Sequence, residues 1–260
     1  MATLDANGVH HHYAEHGAGA PVLLLHGGLE SSESWSAQTR VLAEGHRVVL
    51  IDRRGHGRTP DVAGPITYEL MRDDTVACIE ALGLAGAHLV GWSDGGIVAL
   101  MVAIERPDLV GRIVAIGANA SADAYTRETR ATLGPGSPLV DLMRGDYENI
   151  TPDGADHWPV VLDKIQHLWW EAPLDFTDQL DRVDALTLVL AGDDDCIEPS
   201  HSVEMFQRIP RARLAIVPGS SHAVPLEQPE LVNRMLLDFL DGPERPAELM
   251  PLLPSRVEQV

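Results

Sequence analysis

The stretch His88 to Gly95 reads HLVGWSDG and sets Ser93 inside a G-x-S-x-G pattern, between an apolar run and a helical one. A serine hydroxyl is inert until a neighbouring base takes its proton, and a sharp strand-to-helix turn can lift that hydroxyl into a cleft. Gly91 and Gly95 permit the close backbone approach that such a turn needs. Taken alone, the pattern also describes an ordinary glycine-rich turn, so its meaning depends on partners elsewhere in the chain.

Two partners follow in the order acid, then histidine. The run Leu186 to Pro199, LTLVLAGDDDCIEP, reads as a buried strand ending in carboxylates. Its G-D-x-D-x-x-x-P spacing sets Asp195 beyond the turn, while Asp193 and Asp194 read as solvated turn formers. Further on, PGSSHAVPLEQPELV places His222 between a small loop and the last helix, the best position among the twelve histidines for a general base. Ser93 as nucleophile, His222 as base and Asp195 as the acid that fixes the base's tautomer form one constellation for attack on a carbonyl. The oxyanion that results needs backbone donors. Asp94 can supply one from the start of its helix, and Gly28 or Leu29 the other from the loop HGGLESSESW. His26 in that loop reads as a structural hydrogen-bonding residue rather than a second base.

These residues need a sheet to bring them together. Apolar runs at Val22 to Leu25, Arg47 to Ile51, His88 to Trp92, Arg112 to Ile116, Leu186 to Ala191 and Leu214 to Val217 alternate with helical patterns. The helices are expected at Glu33 to Ala43, Tyr68 to Leu82, Asp94 to Glu105, Ser200 to Ile209 and Glu230 to Leu240. Such a rhythm predicts βαβ units and a mostly parallel sheet, which carries its sites at the carboxyl ends of the strands. Ala2 to His16 lacks a crossover helix and reads as one or two antiparallel edge strands. Its His10, His11 and His12 cannot converge on one ion from a strand and are expected to be solvated.

Between Ala118 and Asp184 the strand rhythm stops. Positions 119–183 are therefore expected to form a helical cap inserted into a core of 1–118 and 184–260. Trp158, Trp169 and Trp170 should pack on the body or line a pocket. From Asp241 onward, Pro243, Pro246, Pro251 and Pro254 suggest a tail on the surface.

With 260 residues, 45% of them hydrophobic, one α/β domain with a modest insertion is the expectation. The net charge of −20 argues against nucleic acid as partner and disfavours anionic substrates within roughly one Debye length, about 8 Å. No apolar run is long enough to span a bilayer, and no basic segment followed by an apolar stretch opens the chain, which points to a cytoplasmic enzyme without membrane partners. Cys78 and Cys196, far apart in sequence, read as packing residues rather than a disulfide or a zinc site.

Taken in order, HGG at His26 to Gly28, DRRGHGRT at Asp52 to Thr59, GWSDGG around Ser93, and the Asp195 and His222 segments resemble the α/β-hydrolase family over nearly the whole chain. The resemblance implies the α/β-hydrolase fold and a serine hydrolase, of carboxylic ester type, acting on a small molecule with neither metal nor cofactor. Lactone opening, carbon-carbon bond hydrolysis and perhydrolysis could use the same serine, and a non-catalytic receptor could keep the fold. Epoxide hydrolases and dehalogenases resemble it too, but use aspartate where this chain has Ser93. GWSDGG followed by GAN at Gly117 to Asn119 looks like the valacyclovir hydrolase (biphenyl hydrolase-like) group. That likeness implies that Asp94 receives a substrate amine, although a carboxylate there also suits the helix dipole. Asp94, Trp92, Trp158 and Trp169 are thus the candidate substrate contacts.

Overall fold

The computed structural model describes residues 2–244, so most of the expected proline-containing tail lies outside the described residues. Eight strands form one sheet: β1 (Ala2–Ala6), β2 (Val9–His16), β3 (Ala20–Leu25), β4 (His46–Ile51), β5 (Ala87–Trp92), β6 (Val110–Ile116), β7 (Leu186–Asp194) and β8 (Ala212–Ser221). Their spatial order is β1-β2-β4-β3-β5-β6-β7-β8. β1 and β2 pair antiparallel with each other, and β2 pairs antiparallel with β4, while every pair from β4 onward is parallel. This is the α/β-hydrolase fold expected from the motifs.

From β3 the chain moves outward to β4, then returns to place β5 on the other side of β3. The loops after β3 and β5 therefore part at a topological switch point, where an open sheet leaves a crevice. HGG follows β3 and Ser93 follows β5.

The helices are α1 (Ser36–Leu42), α2 (Tyr68–Ala81), α3 (Asp94–Glu105), α4 (Thr129–Thr132), α5 (Pro138–Ile150), α6 (Trp158–Trp170), α7 (Pro199–Arg208), α8 (Val224–Glu227) and α9 (Pro229–Leu240). Strand residues alternate between two apolar layers, as a period of two requires. Leu23, Leu25, Val49 and Leu89 join Met71 of α2 and Ile97 of α3 on one side. Val22, Leu24, Val48 and Val90 join Leu42 of α1 and Leu236 of α9 on the other. Ile97 to Leu100 of α3 are all fully buried, which explains why that helix is apolar around most of its circumference.

Three local expectations need correction. The helix expected from Glu33 begins as a 3-10 turn, Ser32–Trp35, because the Ser31 side chain caps the Glu33 amide before α1 starts. β8 runs ten residues rather than four, passing through Pro218, which an edge strand tolerates because one of its N–H rows is unpaired. His11 and His12 are buried, not solvated, because the Asp52 to Thr59 loop packs on them. His11 Nδ1 lies 3.2 Å from the Asp52 carbonyl, and His12 Nδ1 donates to the Asp52 carboxylate at 3.1 Å; only His10 is exposed.

Between β6 and β7 the chain forms α4, α5 and α6. The loop after β4 fastens to these elements through Asp61, whose buried carboxylate accepts from Lys164 Nζ at 2.6 and 2.8 Å and meets His157 Nε2 at 2.9 Å. The Asp61 amide donates in turn to Asp153. Among the described residues no helix is long and apolar enough to cross a membrane.

Candidate active site

Ser93 adopts φ 54° and ψ −121°, a conformation that costs an L-residue about 1–3 kcal/mol and persists only where its surroundings enforce it. The enforcement is visible on both sides. A β-carbon on Gly91 would overlap the Gly95 carbonyl, and one on Gly95 would overlap the Leu25 carbonyl, so strand, turn and helix approach closely only because both are glycine. The Ser93 carbonyl accepts from the amides of Gly96 and Ile97, which starts α3 directly behind the hydroxyl.

Asp195 follows the last residue of β7 and His222 the last residue of β8. Their contact is short: His222 Nδ1 lies 2.7 Å from Asp195 Oδ1. A carboxylate can only accept, so the imidazole proton sits on Nδ1 and Nε2 is left as the basic nitrogen. Asp195 Oδ1 also accepts the Ile197 amide at 3.0 Å. Burial opposes its charge, but the His222 charge and these donors outweigh burial and hold the carboxyl below its usual range. For His222 burial likewise disfavours the cation; Cys196 and Asp195 outweigh it and raise the imidazole well above its ordinary value. The Trp92 indole donates to the His222 carbonyl at 2.8 Å, which ties the histidine to the residue beside Ser93. Asp193 takes the turn role expected of it, accepting the amides of Gly219 and Ser220, and Asp194 is exposed.

The loop after β3 is braced from below. His26 is fully buried and neutral in character, pushed far down chiefly by burial, with Nδ1 donating to the Gly27 carbonyl and Nε2 accepting from the Arg53 amide. That is the structural role expected of it. The buried Arg53 guanidinium donates to the carbonyls of both His26 and Gly27, and Asp52 receives the Ser32 and Arg58 amides. DRRGHGRT is therefore scaffolding for the loop. Leu29 holds φ 60°, and a β-carbon on Gly28 would come within 2.5 Å of both the Asp94 carboxylate and the Trp169 ring. The Gly28 backbone thus runs close to Asp94, the first residue of α3, whose first N–H groups have no partner within the helix.

The cleft has a volume of about 980 Å³. Its inner wall includes Leu29, Glu30, Trp92, Asp195, Cys196 and His222, and its outer wall includes Leu139, Leu142, Met143 and Leu226. Glu30, Glu33, Glu128, Asp146, Asp194 and Glu227 also line it, with no lysine or arginine among the described lining residues.

Several candidate substrate contacts lie elsewhere. Asp94 is buried and occupied, accepting from the Tyr68 hydroxyl at 2.8 Å and from the Trp169 indole at 3.1 Å through both oxygens, and it is absent from the cleft wall. Trp169 is spent on that contact, and Trp158 packs on Tyr147 in the core, so neither lines the cleft. Of the four, Trp92 alone does. Cys78 packs in the core as expected, whereas Cys196 is half-buried on the cleft wall beside His222.

Glu30 was not singled out by its spacing. Its carboxyl accepts from the Gly27 amide at 3.3 Å, and burial pushes it up to about 7 despite that bond and the nearby His222. The position one β-carbon above Gly27 lies 3.1 Å from Glu30 Oε2 and 3.5 Å from Ser93 Cβ, so Glu30 borders Ser93. A glutamate following HGG within three residues was the available signal.

Known proteins are similar to this one over most of the chain. A putative carbamate hydrolase, RutD, of Azorhizobium caulinodans is 30% identical over 88% of this chain and 94% of its own length. A non-heme haloperoxidase of Rhodococcus erythropolis is 30% identical over 88% and 95%. Among solved structures, a serine hydrolase involved in carbazole degradation superposes with a TM-score of 0.78 at 27% identity, covering 92% of this chain and 98% of that one. The model of the alpha/beta hydrolase family matches residues 22–235, a span that holds Ser93, Asp195 and His222 together with the loop after β3, and the chain belongs to that family.

Proposed function

We propose that this hydrolase cleaves small carboxylic esters, with Ser93 attacking the carbonyl, His222 accepting the serine proton and returning it to the leaving alcohol, and water releasing the acid from the acyl-enzyme. Asp195 holds the imidazole in its working tautomer, and the amides of Asp94 and of Gly28 or Leu29 receive the oxyanion. The observation that supports the proposal is the 2.7 Å contact between His222 Nδ1 and Asp195 Oδ1 at the cleft wall, with the indole of Trp92, the residue before Ser93, bonded to the His222 carbonyl.

The cleft also bears on the substrate. Its carboxylates, with no lysine or arginine to balance them, favour neutral or cationic esters over those carrying a free carboxylate. The apolar outer wall suits a short acyl or aryl group. The amine-receiving role implied for Asp94 by the valacyclovir hydrolase likeness has its occupied carboxylate against it. On this reading Asp94→Asn lowers activity on an amino acid ester and on its des-amino counterpart to the same degree.

Lactones, carbamates and carbon-carbon bonds next to a carbonyl remain within reach of the same groups, and screening purified protein against each class ranks them. Turnover separates all of these from a receptor. Wild-type protein should hydrolyse p-nitrophenyl acetate and be labelled at Ser93 by a fluorophosphonate, and equal hydrolysis by Ser93→Ala would sink the proposal.

A further inference from the structure

Cys196 is a cleft residue whose thiol the proposed reaction leaves unused. Its sulfur, one carboxylate oxygen of Asp195 and one ring nitrogen of His222 all lie within 4.8 Å of one another, and no other group of three such side chains occurs among the described residues. A thiolate, an imidazole and a carboxylate are the donor set that thiophilic divalent ions prefer, and around a tetrahedral zinc such donor atoms stand roughly 3.5 Å apart. Closing that difference requires rotation of the Cys196 and His222 side chains. A second observation points the same way: Asp195 Oδ2 is buried without a hydrogen-bond partner among the described residues, an acceptor left over on one of the three side chains. Entry is open, because Cys196 and His222 are both on the cleft wall.

We propose that Asp195, Cys196 and His222 form a binding site for a zinc-like divalent cation, and that the bound ion switches the hydrolase off. The second half rests on His222 being the base of the proposed reaction. An ion held through Nε2 occupies the lone pair that would accept the Ser93 proton. One held through Nδ1 confines the remaining ring proton to Nε2, with the same result. On binding, the thiol proton and any displaced imidazole proton pass to solvent, and the fourth ligand position stays free for water. The ion is an inhibitor here, with no part in the chemistry of turnover.

Two readouts on the full chain test this. In hydrolysis of p-nitrophenyl acetate, excess free Zn²⁺ should lower the rate about tenfold or more, EDTA should restore it, and Mg²⁺ at the same concentration should change nothing, since it avoids sulfur. In Cys196→Ser the ratio of rates without and with Zn²⁺ should fall toward one. Independently of activity, Cd²⁺ should produce thiolate-to-metal ultraviolet absorption in the wild type that is missing from Cys196→Ser and reduced in His222→Ala. An undiminished Zn²⁺ effect and unchanged Cd²⁺ absorption in Cys196→Ser would mean an adventitious ion only, for instance at the exposed His10–Asp5 pair, and would overturn the site. If no ester is turned over yet the Cys196-dependent absorption appears, the metal site stands and the proposed reaction falls. If esters are hydrolysed through Ser93 with no Cys196-dependent response to either ion, the reverse holds.

Discussion

The carboxyl edge of the sheet and the helices between β6 and β7 make an instructive pair. At the sheet edge, position is dictated by backbone: Gly91 and Gly95 leave one path for the turn that carries Ser93, and Asp195 and His222 follow the ends of two paired strands. In the helical segment, position is dictated by side chains, through the Asp61 to Lys164 ion pair and the indole of Trp169 on Asp94. Even the same residue type behaves differently in the two places. Asp195 keeps an oxygen unpaired and meets a titratable partner, whereas both oxygens of Asp94 are filled by donors that do not titrate in the neutral range. Burial alone does not mark a carboxylate as chemical; what its donors can do next does.

The comparison breaks most sharply at Ser93. Ser93→Ala should cost about a thousandfold or more in kcat/KM for p-nitrophenyl acetate with little change in melting temperature, because the turn is fixed by its glycines and not by the hydroxyl. Lys164→Ala should show the opposite profile. It leaves the buried Asp61 without its cation, so denaturant unfolding should register a loss of about 3 kcal/mol, with a larger effect on KM than on kcat. A stability loss no greater than that of the exposed pair Arg234–Asp238 would remove the ion pair as the fastening of the helical segment.

A subtler effect belongs to pH. Only neutral imidazole can accept the serine proton, and Cys196 and Asp195 keep His222 protonated to higher pH than an ordinary histidine. The acid limb of kcat/KM should therefore have its midpoint above 6.5, with activity lost as pH falls through it. A midpoint at or below 6.5 would show that burial wins instead. The smallest change is expected at Leu142, 65% exposed on the outer wall. Leu142→Ala should raise KM for a hexanoate ester about threefold, the equivalent of roughly 0.7 kcal/mol, and leave the acetate ester alone.

What the sequence made legible follows the same division. The strand, turn and helix around Ser93 could be read residue by residue, and α3 begins and ends where its pattern placed it, because local backbone chemistry specifies that unit. The placement of Asp195 and His222 just after two strands was legible from the apolar runs and turn residues. His11 and His12 were not, since their burial comes from Asp52 and Thr59 in the loop after β4, a contact between segments distant along the chain. The tryptophans stayed ambiguous for a related reason: an aromatic side chain at helical spacing looks alike whether it faces a cleft or a neighbouring carboxylate. Cys196 and Glu30 gained their interest only when His222 and Ser93 were brought beside them.

Gly28 and Trp169 occupy a shared volume, one on the loop after β3 and the other on α6. Bulk at either position must be matched by its absence at the other, so the two are expected to drift as a complementary couple. The spacing between that loop and α6 is accordingly a joint property of two distant segments, and neither can be redesigned alone.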